Sequence, residues 1–166
     1  MSAVAAGQEI YELAPAAWGE RLAGAYREIG ERAVRDLPIY HDVLDVEAVG
    51  FTSVQGRTIG IIITPWFMNV VTPGEQGSVG STIEIALPAG AFEFTVGDVA
   101  DVGRIASCSL FSPMSEFEDM TAARIAAEAA LAAMLTASED EGHAARASRA
   151  IDRRALLRGA LSERRA

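Results

Sequence analysis

A chain of 166 residues, half of them hydrophobic and 22% charged, fits one domain with a hydrophobic core of its own. The formal charge of −9 argues against an electrostatic nucleic-acid binder, and a single cysteine excludes an internal disulfide. No apolar run is long enough to span a membrane and no basic, apolar leader opens the chain, so a reducing, cytoplasmic location is expected.

The first predicted element is a helix over 16–36, AAWGERLAGAYREIGERAVRD. Trp18, Leu22, Ala25 or Tyr26, Ile29 and Ala33 recur at helical spacing, with charged residues on the other side. Pro15 suits its entry and Pro38 ends the run. From about 45 to 111 the period changes to alternation. VEAVGFTSV and RTIGIIIT read as two strands joined at QGR, and STIEIALP and AFEFTVGD as two more around PAG. GRIASCSLF is the last strand, and the Gly-rich stretch 73–81 is a long connection. The Ala-rich run 115–138 then reads as a second long helix, capped by Ser115 with Glu118 or by Asp119 alone, with Ile125, Leu131, Met134 and Leu135 toward the sheet.

The expected architecture is therefore α+β: an N-terminal helix, an antiparallel sheet of about four or five strands, and a C-terminal helix, with the helices covering one face of the sheet. Residues 1–138 form this single domain, and 139–166 a basic tail. Charge divides the same way. Residues 1–142 carry seven arginines and twenty-one acids, a net −14; residues 143–166 carry seven arginines and two acids, a net +5. Such a tail is suited to docking on the acidic body or on an acidic partner.

Catalytic chemistry finds little support. In RIASCSLF, Cys108 shares a face with Ala106 and Leu110, where a free cysteine behaves as a small hydrophobe. A reactive thiol needs a cationic or basic neighbour, and nothing in the sequence places His41 or His143 beside it. A thiol-dependent enzyme using Cys108 is the alternative from another class. One cysteine and two distant histidines offer no metal-ligand spacing, so neither a metal nor another cofactor is expected within one chain. A nickel or iron carrier would need a site shared across a dimer. Phosphate-loop, dinucleotide and nucleophile-elbow motifs are absent from the sequence, and Asp98 and Asp101 read as turn residues.

Two stretches suit binding. In ITPWFMNVV, Pro65 interrupts a strand and is followed by Trp66, Phe67 and Met68, three consecutive large apolar residues that cannot all face one core. Either one of them points outward as a contact residue, or Trp66 caps the core and the second helix covers Phe67. In IDRRALLRG, Arg153, Arg154, Leu156, Leu157 and Arg158 form a cationic amphipathic segment. Its residue types parallel those of a twin-arginine export signal, but its C-terminal position excludes that role.

With AYREIGERAVRDL, ITPWFMNVV, LPAGAFEFTVGD, SCSLFSPMSEF and RRALLRG in order between residues 25 and 159, the chain resembles the HybE/HupJ family of [NiFe]-hydrogenase assembly chaperones. The resemblance implies a cytoplasmic, non-catalytic accessory protein in hydrogenase maturation, with a fold like the type III secretion chaperones and the capacity to form a homodimer. The implied partner is the hydrogenase small-subunit precursor that bears a twin-arginine signal, with the large subunit as a second partner, and neither nucleic acid nor membrane. The candidate client-binding residues are Trp66, Phe67, Met68, Arg153, Arg154, Leu156 and Leu157. The acidic body has the right sign to attract a basic signal peptide, and the tail is then an internal competitor for the same groove.

Overall fold

A computed structural model describes residues 13–74 and 77–137. The chain begins with helix α1, Pro15–Ile29, entered through a proline whose missing N–H would have no partner in the first turn anyway. One wider π turn, Gly30–Val34, carries it on, and Arg35 donates its N–H to Gly30 O at 2.8 Å. Six strands follow: β1 Glu47–Val54, β2 Arg57–Ile63, β3 Met68–Pro73, β4 Thr82–Leu87, β5 Gly90–Val99 and β6 Gly103–Phe111. Helix α2, Met120–Leu135, closes the described chain; Asp119 caps it by accepting the N–H of Ala122 at 3.0 Å.

All pairings are antiparallel, in the order β1-β2-β3-β6-β5-β4. Gln55 and Gly56, both at positive φ, make the β1–β2 turn that the sequence marks at QGR. The strand beyond the expected four or five is β3. Pro65 does interrupt the ladder, but the chain reverses there and returns as a new strand rather than ending in a loop. The β4–β5 hairpin runs past the rest of the sheet: β5 pairs with β6 only from Thr95 to Val99, so Gly90–Phe94 pairs with β4 alone.

The helices lie on opposite faces, not on one. Trp18, Leu22 and Ala23 of α1 pack with Val46, Ile62, Val71 and Ile105. The alanines of α2, with Leu131 and Met134, pack on Ile59, Ile61, Ile63, Val70, Phe92 and Phe94. The unbroken apolar run of β2 explains the difference, because Ile59 and Ile61–Ile63 are all fully buried and need cover on both sides. Close helix approach depends on small residues. The Phe51 ring is wedged between Gly19 of α1 and Gly60 of β2, and a Cβ on either would lie 2.4 Å from it. A bulge between Val49 and Thr52 bends β1, with Gly50 at φ +65° beneath Leu131.

Candidate client-binding surface

The turn between β2 and β3 is organised by one hydroxyl. Thr64 is fully buried, and its Oγ1 accepts the N–H of Trp66 at 3.2 Å and of Phe67 at 2.9 Å. Its backbone N–H donates to Phe67 O at 2.8 Å. A threonine before proline thus locks the reversal from within the chain itself, and Trp66 is thrown clear of the ladder.

The side chains of 66–68 then separate. Met68 opens β3 and is fully buried in the core beneath α2. Phe67 is half-buried on the other face, where α1 and not the second helix covers it; its ring lies 5.1 Å from Tyr26, edge-on at 86°. Three consecutive large apolar residues are accommodated because the sheet has two cores. Trp66 is half-buried at the sheet end, stacked on Tyr40 at 6.2 Å and 22° and edge-on to Tyr26 at 6.4 Å and to Phe67 at 5.5 Å. Gly30 makes room for it: a Cβ there would stand 3.0 Å from the indole. Burial in this cluster pushes the Tyr26 hydroxyl up to about 12.

Beside the indole lies a loop that the sequence reading passed over, 36–45, DLPIYHDVLD. Leu37, Ile39 and Val43 are each about half exposed, at 49%, 48% and 49%. Their spacing fits neither helix nor strand, so periodicity gives no signal; the only hint is apolar residues interleaved with aspartates after a proline. His41 pins the loop on two sides. Its backbone N–H donates to Pro65 O at 2.9 Å, and its Nε2 is 2.7 Å from Phe117 O. Phe117 is itself buried edge-on to Phe111 at 4.9 Å. Exposed Asp36, Asp42 and Asp45 lie within the loop, and exposed Glu116 and Glu118 flank Phe117. The loop thus carries three half-exposed aliphatic side chains and three aspartates next to the Tyr40–Trp66 stack, on a backbone fixed by His41. It has the chemistry to take an apolar segment with basic flanks.

Of the expected contact residues, Trp66 and Phe67 reach this region and Met68 does not reach the surface. Arg153, Arg154, Leu156 and Leu157 lie outside the described residues. Cys108 faces the α2 side opposite Val70, with Ala106 and Leu110 as the alternation requires, though half-buried rather than sealed. Among the described residues no three histidine, cysteine, aspartate or glutamate side chains converge to hold a metal. Asp98 and Asp101 serve the β5–β6 turn: Asp98 pairs with Arg104 at 3.7 Å, and the Asp101 carbonyl accepts from the Arg21 guanidinium at 3.1 and 3.2 Å. No described helix is long and apolar enough to cross a membrane.

Comparison with known proteins agrees with this architecture. The family described as [NiFe]-hydrogenase assembly, chaperone, HybE matches residues 17–159. The hydrogenase expression/formation protein HupJ of Bradyrhizobium diazoefficiens is 57% identical over 155 residues, covering 90% of this chain and 92% of its own. The hydrogenase expression/formation protein HoxT of Azotobacter vinelandii is 36% identical over 86% of this chain and 95% of its own. The solution structure of HybE from Escherichia coli superposes with a TM-score of 0.59 at 30% identity, covering 74% of this chain and 77% of that one.

Proposed function

The chain belongs to the HybE family of [NiFe]-hydrogenase assembly chaperones, and from that premise we propose that it binds a hydrogenase subunit precursor before assembly and export. The client is the small-subunit precursor, recognised through its twin-arginine signal in the cytoplasm. The protein acts by holding that segment, not by catalysis.

One observation supports this above the others: half-exposed Leu37, Ile39 and Val43 share one short loop with Tyr40, which stacks on Trp66, and with exposed carboxylates at 36, 42 and 45, while those at 116 and 118 flank the Phe117 that His41 bonds. An export signal is an apolar run preceded by arginines. Its apolar part gains by covering half-exposed aliphatic side chains, and its arginines gain from the negative charge of these carboxylates. The loop is tied by His41 to two other segments, so little ordering cost falls on the chaperone at binding.

The test is affinity for three purified clients: the small-subunit precursor, the same subunit without its signal, and the large subunit. Tight binding to the first alone is expected. Binding that survives removal of the signal moves recognition to the folded subunit. Absence of binding to any of the three overturns the client assignment.

A further inference from the structure

The two edges of the sheet are treated differently. At one edge, β1 is bent by its bulge, has α1 and α2 on either side, and is tied to α2 by Arg124 and Glu47, bonded at 2.6 and 3.0 Å. At the other edge, β4 is regular over all six residues. Val96 of β5 donates to Ser81 O and accepts from Gly80 N, which sets the phase of the ladder. Ile83, Ile85 and Leu87 bond inward to Phe94, Phe92 and Gly90, and the N–H and C=O groups of Thr82, Glu84 and Ala86 point away from the sheet. No hydrogen bond between described residues meets them there.

The solvent face of this hairpin carries an unfavourable pair. Glu84 and Glu93 are directly opposite each other and both exposed, an arrangement of like charges that costs stability until a cation joins it. A second copy pairing along β4 would bring four such carboxylates together, which disfavours that occupant. A basic segment is favoured instead, and the chain supplies one. Helix α2 ends against this hairpin, where Ala89 donates its N–H to Met134 O at 3.1 Å. Thirteen residues, 138–150, separate the end of the described chain from Ile151. Extended, they reach about 45 Å, more than twice the ~20 Å length of β4. The residues from 143 onward carry +5 against −14 for the rest.

We propose that the segment 151–159, IDRRALLRG, docks along the open β4 edge of its own chain, with its arginines against Glu84 and Glu93. Tethering places it at an effective concentration on the order of millimolar, so weak pairing suffices to occupy the edge. The docking site is thus a strand edge at the far side of the sheet from β1, and the proposal stands whatever the identity of the client.

Amide hydrogen exchange on the full chain tests it. The N–H groups of Thr82, Glu84 and Ala86 are expected to exchange at least about tenfold more slowly than in the full-length variant Arg153→Glu/Arg154→Glu, which corresponds to a site docked nine-tenths of the time. Adding Glu84→Arg/Glu93→Arg to that variant restores the slow rates, a rescue that altered folding alone does not produce. Equal rates in the two proteins overturn the proposal. Protection that rises with protein concentration assigns the edge to a second copy, and protection that appears only on adding signal-bearing precursor assigns it to the client. Either result also overturns it.

Discussion

Replacing Leu37, Ile39 and Val43 together by serine tests whether these exposed side chains carry recognition. Fully burying an aliphatic side chain of this size is worth about 2 kcal/mol. Each of the three already has about half its surface covered, at 49%, 48% and 49% exposure. A partner that covers the remainder gains about 1 kcal/mol per residue, or ~3 kcal/mol for the three, close to a hundredfold in Kd. The folded chain loses little by the same changes, because surface substitutions away from core and caps stay within about 0.5 kcal/mol each. Titration calorimetry against the signal-bearing precursor reads the first quantity and urea unfolding the second. A loss of affinity below threefold with an intact fold refutes the assignment. So does a loss that merely tracks unfolding.

Three further outcomes follow from the same structure. Gly19→Ala gains about 1 kcal/mol of helix propensity but drives a Cβ into the Phe51 ring, which Gly60 backs; a penalty near 3 kcal/mol leaves it destabilised by about 2 kcal/mol. In a Phe51→Ala background the same change becomes stabilising by about 1 kcal/mol, and unchanged sign in that cycle would show the ring is not the obstacle. Tyr26 ionises near 10 when unfolded and only near 12 when folded, so above pH 10 the unfolded state releases the proton first and stability falls as pH rises. The loss is at most about 1.4 kcal/mol per pH unit between 10 and 12, and Tyr26→Phe should remove that part of the alkaline decline in urea midpoints. Cys108→Ser keeps client affinity within about twofold, because the thiol faces the α2-side core; loss of assembly activity in a folded Cys108→Ser protein would bring thiol chemistry back.

The two helices and five of the strands were legible from period, composition and the turn residues between them. Asp119 was legible as one of two candidate caps, the other being Ser115 with Glu118. What the pattern concealed was that β2 has no polar side. An isoleucine run reads as a buried strand but not as one covered twice, and the position of α1 on the second face follows only from three-dimensional packing. The same gap underlies the option that the second helix covers Phe67, which α1 covers instead, and the inclusion of the buried Met68 among the candidate contact residues. In both cases a consecutive apolar run was weighed against one core when there were two. The loop 36–45 escaped for another reason: its exposed residues are spaced by turns, each closed by a local hydrogen bond, and turns have no period.

The loop also separates two demands on the sequence. Its shape is held by backbone groups and by His41, which bonds through main chain to Pro65 and through its ring to Phe117 O, while Leu37, Ile39 and Val43 contribute side chains that the core does not use. Exchange at those three positions changes what the surface prefers without asking the scaffold to adapt. Diversification among chaperones that serve different hydrogenases is therefore expected to concentrate there, and to spare Thr64, Pro65 and His41.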